Sequence, residues 1–422
     1  MMASSTKGKA VRSMKHTLTK IKSLLAAIVL LIMALTVPSA LASSGAAAYA
    51  AADQFTSRDL AQEADLTDAV TFTVPDGTDL TVTEAGVYVL TGTASEVTVT
   101  VEAPDDAKVQ LVLDGLQLTN SDFPCIYVKT ADKVFITLAS DSSLAVTGSF
   151  RADGSTNTDG VIFSRQDLVL GGTAVLTVSS TDNGVVCKDD LKITGGTWRI
   201  TAASKAFEAH DSIRVAGGTF ELKAGTDGFH AEDSDDNTAG YIYIADGDIT
   251  VTCGDDAIHA TTVCQIDGGT LNLSGAEGIE ATYIRINGGS VSIAASDDGI
   301  NAAKKSTACE IAVEFNGGEV TITMGAGDTD GVDSNGNIYM NGGTVTVNGA
   351  SFDYDGSAQF NGGSIFVNGQ QLASIPNQMM GGGMRGGWGG FGNAGGQGAW
   401  GNAGGQNTQG GHGGGRGGRG GW

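Results

Sequence analysis

GGTLNLSGAEGIEATYIRINGGS, residues 268–290, reads as one turn of a solenoid. The stretch opens on Gly268-Gly269 and closes on Gly288-Gly289, with three short segments between. Thr270-Leu271-Asn272-Leu273 alternates polar and apolar, the period of a half-buried strand. Gly278-Ile279-Glu280-Ala281 sets an aliphatic residue and an alanine on one side and an acid on the other. Ile284-Arg285-Ile286 alternates again just before the next glycine pair.

Working outward, the same frame recurs. Turn positions fall at Gly171, Gly195, Gly217, Asp246, Gly268, Gly288, Gly317, Gly342 and Gly362, spaced 20 to 29 residues apart. A period in the twenties means a solenoid whose repeats bury their apolar faces on one another. The middle segment recurs as Gly228-Phe229-His230-Ala231, Ala257-Ile258-His259-Ala260 and Gly299-Ile300-Asn301-Ala302. Three strands per coil of about 22–24 residues predict an all-β, right-handed parallel β-helix. Leucine-rich, nine-residue and hexapeptide repeats fit the spacing worse. No proline occurs between Pro124 and Pro376, as expected where each strand donates its N–H groups to the neighbouring coil. Val87-Tyr88-Val89-Leu90, Val109-Gln110-Leu111-Val112-Leu113 and Ile126-Tyr127-Val128 read as earlier, less regular coils.

The chain of 422 residues carries 64 Gly and 5 Pro, and Lys+Arg 24 against Asp+Glu 47, a net charge of -23. Such an acidic balance excludes a nucleic-acid partner, because phosphate backbones demand a basic footprint. Much of the basic complement sits at the ends. Lys7, Lys9, Arg12, Lys15, Lys20 and Lys22 precede an apolar run from Leu24 to Val37 and the small-residue site Ala40-Leu41-Ala42. These are the parts of a secretory signal peptide over 1–42. The apolar run is shorter than the about 20 residues of a membrane span, so no membrane insertion is expected after cleavage. Residues 43–76 read as a linker, 77–370 as the β-helix and 371–422 as a glycine-rich tail containing Arg385, Trp388, Trp400 and Arg416. Its composition suits a flexible spacer, with association with cell wall or polysaccharide as a second reading. The expected protein is secreted, extracellular and monomeric, with cell-surface attachment a second reading of the tail.

Aligned coil by coil, the turn before the middle segment reads Asn183, Lys205, Asp227, Asp256, Glu277, Asp298, Asp330, Asp355. The outward position three residues later reads Val186, Glu208, His230, His259, Glu280, Asn301, Asp333, and Asp182, Asp255, Asp297, Asp328 and Asp353 add further acids. Coils lie about 4.8 Å apart, so these become adjacent ladders of oxygen atoms. Stacked carboxylates repel one another, and Ca²⁺ takes about six to eight such hard oxygens. The candidate calcium ligands are Asp227, Asp255, Asp256, Glu277, Glu280, Asp297, Asp298, Asn301, Asp328, Asp330 and Asp333. The competing reading is a solvated acidic rim that keeps the solenoid soluble. His230 and His259, with carboxylate and not thiolate neighbours, read as hydrogen-bonded ladder residues in preference to zinc ligands. For β-elimination of a uronate, the candidate bases are Lys205, Lys304 and Lys305, although nearby carboxylates oppose loss of a lysine proton. Tyr241, Tyr243, Tyr283 and Tyr339 are the candidate sugar-contacting residues, since Trp198 is the single tryptophan outside the tail. The five cysteines read mainly as buried small hydrophobes, with a Cys253–Cys264 bridge as an alternative.

Several stretches carry a resemblance. They are Glu84-Ala85-Gly86-Val87-Tyr88-Val89-Leu90, Ala103-Pro104-Asp105-Asp106-Ala107-Lys108-Val109, Leu113-Asp114-Gly115, Ile126-Tyr127-Val128-Lys129 with Ala131-Asp132-Lys133-Val134, and Cys187-Lys188-Asp189-Asp190-Leu191-Lys192-Ile193-Thr194-Gly195-Gly196. Together, over about residues 77–368, they resemble the bacterial carbohydrate-binding β-helix family first recognised in a cellulolytic clostridium. That family is similar in fold to family 9 pectate lyases. The resemblance implies calcium, binding of cellulose or acidic plant polysaccharide such as pectin, and no catalysis. Three function classes follow: a calcium-dependent polysaccharide-binding module, a polysaccharide lyase, and a wall adhesin or structural rod.

Overall fold

A computed structural model describes residues 50–326 and 329–377 of the chain. The expected signal peptide, Asp328 and the tail from residue 378 lie outside the described residues. Within them the chain is nearly all strand, and the helix is a single turn, Ala51–Gln54. No helix among the described residues is long and apolar enough to cross a membrane.

The stretch 268–290 forms Thr270–Gly275, Glu277–Ala281 and Tyr283–Ile286. Each strand pairs in parallel with its counterpart one coil on, Ser290–Ala295, Asp298–Ala302 and Ala312–Phe315. Each also pairs with its counterpart one coil back, Asp248–Thr252, Asp256–Ala260 and Val263–Ile266. Repetition of this pattern gives three parallel ladders: one after the glycine turn, a short one, and one before the next turn. Two of the glycines show why the turn recurs. Gly269 and Gly289 have φ of +91° and +82°, a region that L side chains rarely adopt. A Cβ on Gly289 would also stand 2.8 Å from the Gly269 carbonyl oxygen. The 29-residue spacings have a local cause as well, since loops 232–240 and 303–311 extend two coils after the short ladder. These loops touch, with Ser306 Oγ donating to the Asn237 carbonyl at 2.6 Å.

Alternation decides what is inside. In the short ladder Phe207, Phe229, Ile258, Ile279, Ile300, Val332 and Phe352 stack coil upon coil, all at 0–1 % exposure. Phe207 and Phe229 lie face to face, 5.3 Å between centroids. The earlier coils are less regular, as expected: Lys108–Asn120 is one long strand that pairs with both Lys133–Ser140 and Ser142–Val146.

Four expectations need correction. Residues 43–76 are not a free linker where described, because Val70–Thr73 pairs in parallel with the first long strand, Gly86–Ser95. Upstream of it, residues 54–62 lie as a strap across the outer face of the pre-glycine ladder. Asp59 Oδ2 accepts from buried Lys192 Nζ at 3.0 Å, Gln62 Nε2 donates to the Thr194 carbonyl at 3.0 Å and Arg58 covers the Phe135 ring at 4.4 Å. At the other end the β-fold does not stop at 370, since Gln370–Leu372 turns back antiparallel on Ser364–Val367 and Ile375 is buried. The five cysteines are free thiols, so no Cys253–Cys264 bridge forms. Cys125, Cys187 and Cys264 pack in the core as expected. Finally, Asp355 does not follow Asp330 in the turn column, because the last register sets Val332 opposite Phe352; it is Asp353 that extends the outward column, opposite Asp333.

Candidate functional site

The outward face of the short ladder brings the candidate acids together. Glu208, His230, His259, Glu280, Asn301, Asp333 and Asp353 occupy one column in unbroken register. Alongside it Asp256 faces Glu277 and Asp298 faces Asp330. The strand period sends these side chains outward while the intervening apolar residues point to the core. On one flank, loops 232–240 and 303–311 reach back into the column through Glu232 and Lys305.

Cations divide the column into three parts. At the upstream end Glu208 Oε1 lies 2.8 Å from Lys188 Nζ and Oε2 lies 3.2 Å from Lys205 Nζ. Burial opposes charge on Glu208, but the two ammonium groups outweigh it and hold the carboxyl at about 2. In the middle, His230 Nδ1 lies 2.8 Å from Asp227 Oδ2, and His259 Nδ1 lies 2.7 Å from Asp256 Oδ2 and 3.1 Å from Glu280 Oε2. Lys305 Nζ closes on Glu280 Oε2 at 2.7 Å. Burial disfavours the His259 cation, yet its hydrogen bonds with Asp256 and Glu280 raise its affinity for the proton.

Downstream, acids gather around few donors. Burial pushes Glu277 up to about 8, and the charges of Glu280 and Asp256 add to it. Asp333 is pushed to about 6 by burial and then by Asp298, Asp330 and Asp353. Asp298 is raised as well, by burial first and then, against a hydrogen bond from the Asp330 N–H, by Asp297. Asn301 Nδ2 donates to Glu277 Oε2 at 3.1 Å, while its Oδ1 is buried with no hydrogen-bond partner. A buried acceptor of this kind costs free energy until a cation or donor meets it. The donors here are all hard oxygens and include the orphaned Asn301 Oδ1, the chemistry that Ca²⁺ takes, while among the described residues the ligand atoms that converge within 4.8 Å in threes are those of His230, Glu232 and His259 and of Asp256, His259 and Glu280. Asp255 and Asp297 flank the column on exposed turns.

The other candidates fare differently. Lys205 and Lys305 are both engaged by column carboxylates, and Lys304 is exposed on its loop. The tyrosines do not form a sugar platform: Tyr243 and Tyr283 are fully buried, Tyr339 is 8 % exposed, and Tyr241 is half-covered. Their outward positions are occupied by protein. Phe55 of the strap lies 6.3 Å from the Tyr243 ring, Tyr241 Oη donates to Gln54 Oε1 at 3.1 Å, and Tyr283 Oη donates to Glu314 Oε2 at 2.7 Å. Trp198 is a core residue packed edge-on to Phe207. Sequence reasoning missed Glu232, Lys188 and the strap residues. Glu232 and Lys188 each stand immediately after a short-ladder strand, a position that could have flagged them; nothing local marks Asp59.

Comparison with known proteins adds three findings. Residues 76–356 match the family described as carbohydrate-binding domain-containing protein. A protein of that description from Acetivibrio thermocellus is 36% identical over 201 residues, which is 46% of this chain and 70% of that protein. A solved structure described as the polysaccharide lyase-like protein from C. thermocellum, a gadolinium derivative, aligns with a TM-score of 0.41 at 22% identity, covering 69% of this chain and 99% of that one.

Proposed function

Since the chain belongs to the family of carbohydrate-binding domain-containing proteins, we propose that it is a secreted, calcium-dependent and non-catalytic binding module for acidic plant cell-wall polysaccharide. The single observation that carries this reading is the downstream part of the column. There Glu277, Asp298, Asn301, Asp330 and Asp333 stack in register, burial and neighbouring acids raise the proton affinities of Glu277, Asp298 and Asp333, and Asn301 Oδ1 is orphaned. These residues would hold Ca²⁺, with Asp353 beside them. When bound, calcium supplies positive charge that a polyanionic sugar chain can share. Without it, the acidic face repels a uronate polymer. The buried tyrosines and Trp198 favour ionic recognition over a stacking platform. The coils are taken as right-handed, the hand of about 98% of parallel crossovers.

A lyase is the second reading, and one observation weighs against it. Lys205 and Lys305 lie 3.2 and 2.7 Å from column carboxylates, so both candidate bases are already engaged in ion pairs. Retention on insoluble polygalacturonate, with and without EDTA, tests both readings when ultraviolet absorbance of unsaturated product is followed. Retention abolished by EDTA with flat absorbance is the expected result. Rising absorbance would replace the module with a lyase, and indifference to both sugar and chelator would leave a structural rod.

A further inference from the structure

We propose that His230, His259 and Glu232 form a binding site for a divalent transition-metal ion of the zinc class, separate from the downstream oxygen column. The two histidines face each other across adjacent coils, with ring centroids 4.4 Å apart and planes inclined by 20°. Glu232, from loop 232–240, brings Oε2 to 3.1 Å from His230 Nε2. One ligand atom from each of the three residues lies within 4.8 Å of the others.

What distinguishes this trio from an ordinary charged cluster is the orientation of the rings. Both Nδ1 atoms face a carboxylate three residues upstream, Asp227 Oδ2 at 2.8 Å and Asp256 Oδ2 at 2.7 Å. A carboxylate on one ring nitrogen fixes the ring's orientation and leaves the other nitrogen to exchange its proton for a metal. With Nδ1 of each ring held against Asp227 or Asp256, Nε2 is the nitrogen turned to a metal, which at His230 would replace the proton shared with Glu232. The His230 and His259 side chains are 10% and 11% exposed, whereas the Glu232 side chain is 50% exposed, so an ion can enter past the glutamate.

The chemistry selects the ion. Two imidazole nitrogens and one carboxylate make a borderline-soft set, which suits zinc and its neighbours and does not suit Ca²⁺. Thiolates are not required for such a set. The alternative grouping of Asp256, His259 and Glu280 is compromised, because Lys305 lies against Glu280. Three protein ligands leave a fourth position for water or a ligand oxygen.

Zinc uptake by the full chain, measured against a chromophoric chelator with calcium in excess, tests the site. Visible absorption of the cobalt-substituted protein gives a second readout. One zinc ion per chain is expected, with affinity lowered at least a hundredfold in His230→Gln or His259→Gln. Asp227→Asn, which faces the far ring nitrogen of His230 and can still accept from the Asp256 N–H, should weaken binding by about ten- to a hundredfold. Lys304→Ala should change nothing. If a histidine variant proves misfolded by its melting curve, Glu232→Gln on the exposed loop takes its place and should lower affinity at least tenfold. Absence of zinc uptake by the parent protein, or undiminished uptake in a folded double-histidine variant, overturns the site. Calcium-dependent retention on polygalacturonate is read separately, so failure of either idea leaves the other intact.

Discussion

Glu277 illustrates what a single residue contributes to the column. It is partly buried between Asp256 and Asp298 and receives one hydrogen bond, from Asn301. Its carboxyl holds a proton to about pH 8, so the calcium-free protein at neutral pH bears the cost of keeping that proton. Glutamine imitates the protonated acid without this cost. Glu277→Gln should therefore stabilise the calcium-free protein by about 1 kcal/mol, once solvent screening is allowed for, and shrink the calcium-dependent rise in Tm. A Tm unchanged in both conditions would count against this carboxyl as a ligand. The recurrence of acids at one position was legible in the sequence because strand periodicity fixes which side chains share a face. Their division into lysine-paired, histidine-paired and uncompensated parts was not. Lys188 reaches Glu208 from beyond the strand end, and Lys305 reaches Glu280 from a loop; neither contact leaves a mark in the repeat.

The strap shows the same limit at the scale of an element. Asp59 is 2% exposed and Lys192 9% by side chain, so the pair is buried and mutually dependent. Burial works against the Asp59 charge, but a Thr56 N–H and the Lys192 ammonium outweigh it and hold the carboxyl below its usual range. A depressed acid stabilises the native state at pH values above the unfolded-state pKa of about 4, and that contribution is lost as pH falls through the folded value. The strap should accordingly stay docked at neutral pH and release in acid. Asp59→Asn should release it at neutral pH as well, because breaking a buried pair costs about 3–5 kcal/mol. Limited proteolysis across residues 54–68 reads this directly, and equal protection in parent and variant at neutral pH would sink the idea. Nothing in residues 54–62 announces docking, because the strap has no repeat period and its partners Lys192 and Thr194 lie more than a hundred positions away. The tyrosines were misread for the same reason: outward in a strand means exposed only when nothing lies on top.

At the scale of the whole molecule, the glycine pairs make the coil a removable unit. Each coil contacts its two neighbours through three parallel ladders, so stability is close to a sum of coil and interface contributions. Excision of residues 268–287, from one glycine pair to the next, should leave a folded protein with the ladders rejoined. Its far-ultraviolet dichroism should stay β-type and its urea m-value should fall in proportion to the lost surface; collapse to a molten state would show that this coil is not interchangeable. The period, the strand identities and the buried ladders were all readable from residues 268–290, since local alternation and the special backbone at Gly269 and Gly289 are written in each repeat. The strap obeys another logic. Gln54 meets Tyr241 across 187 positions of sequence, so among the first described residues to be synthesised are some whose partners arrive much later. Residues 54–62 are fastened only after several coils have been wound, and a slow, late phase confined to them should mark that step in refolding.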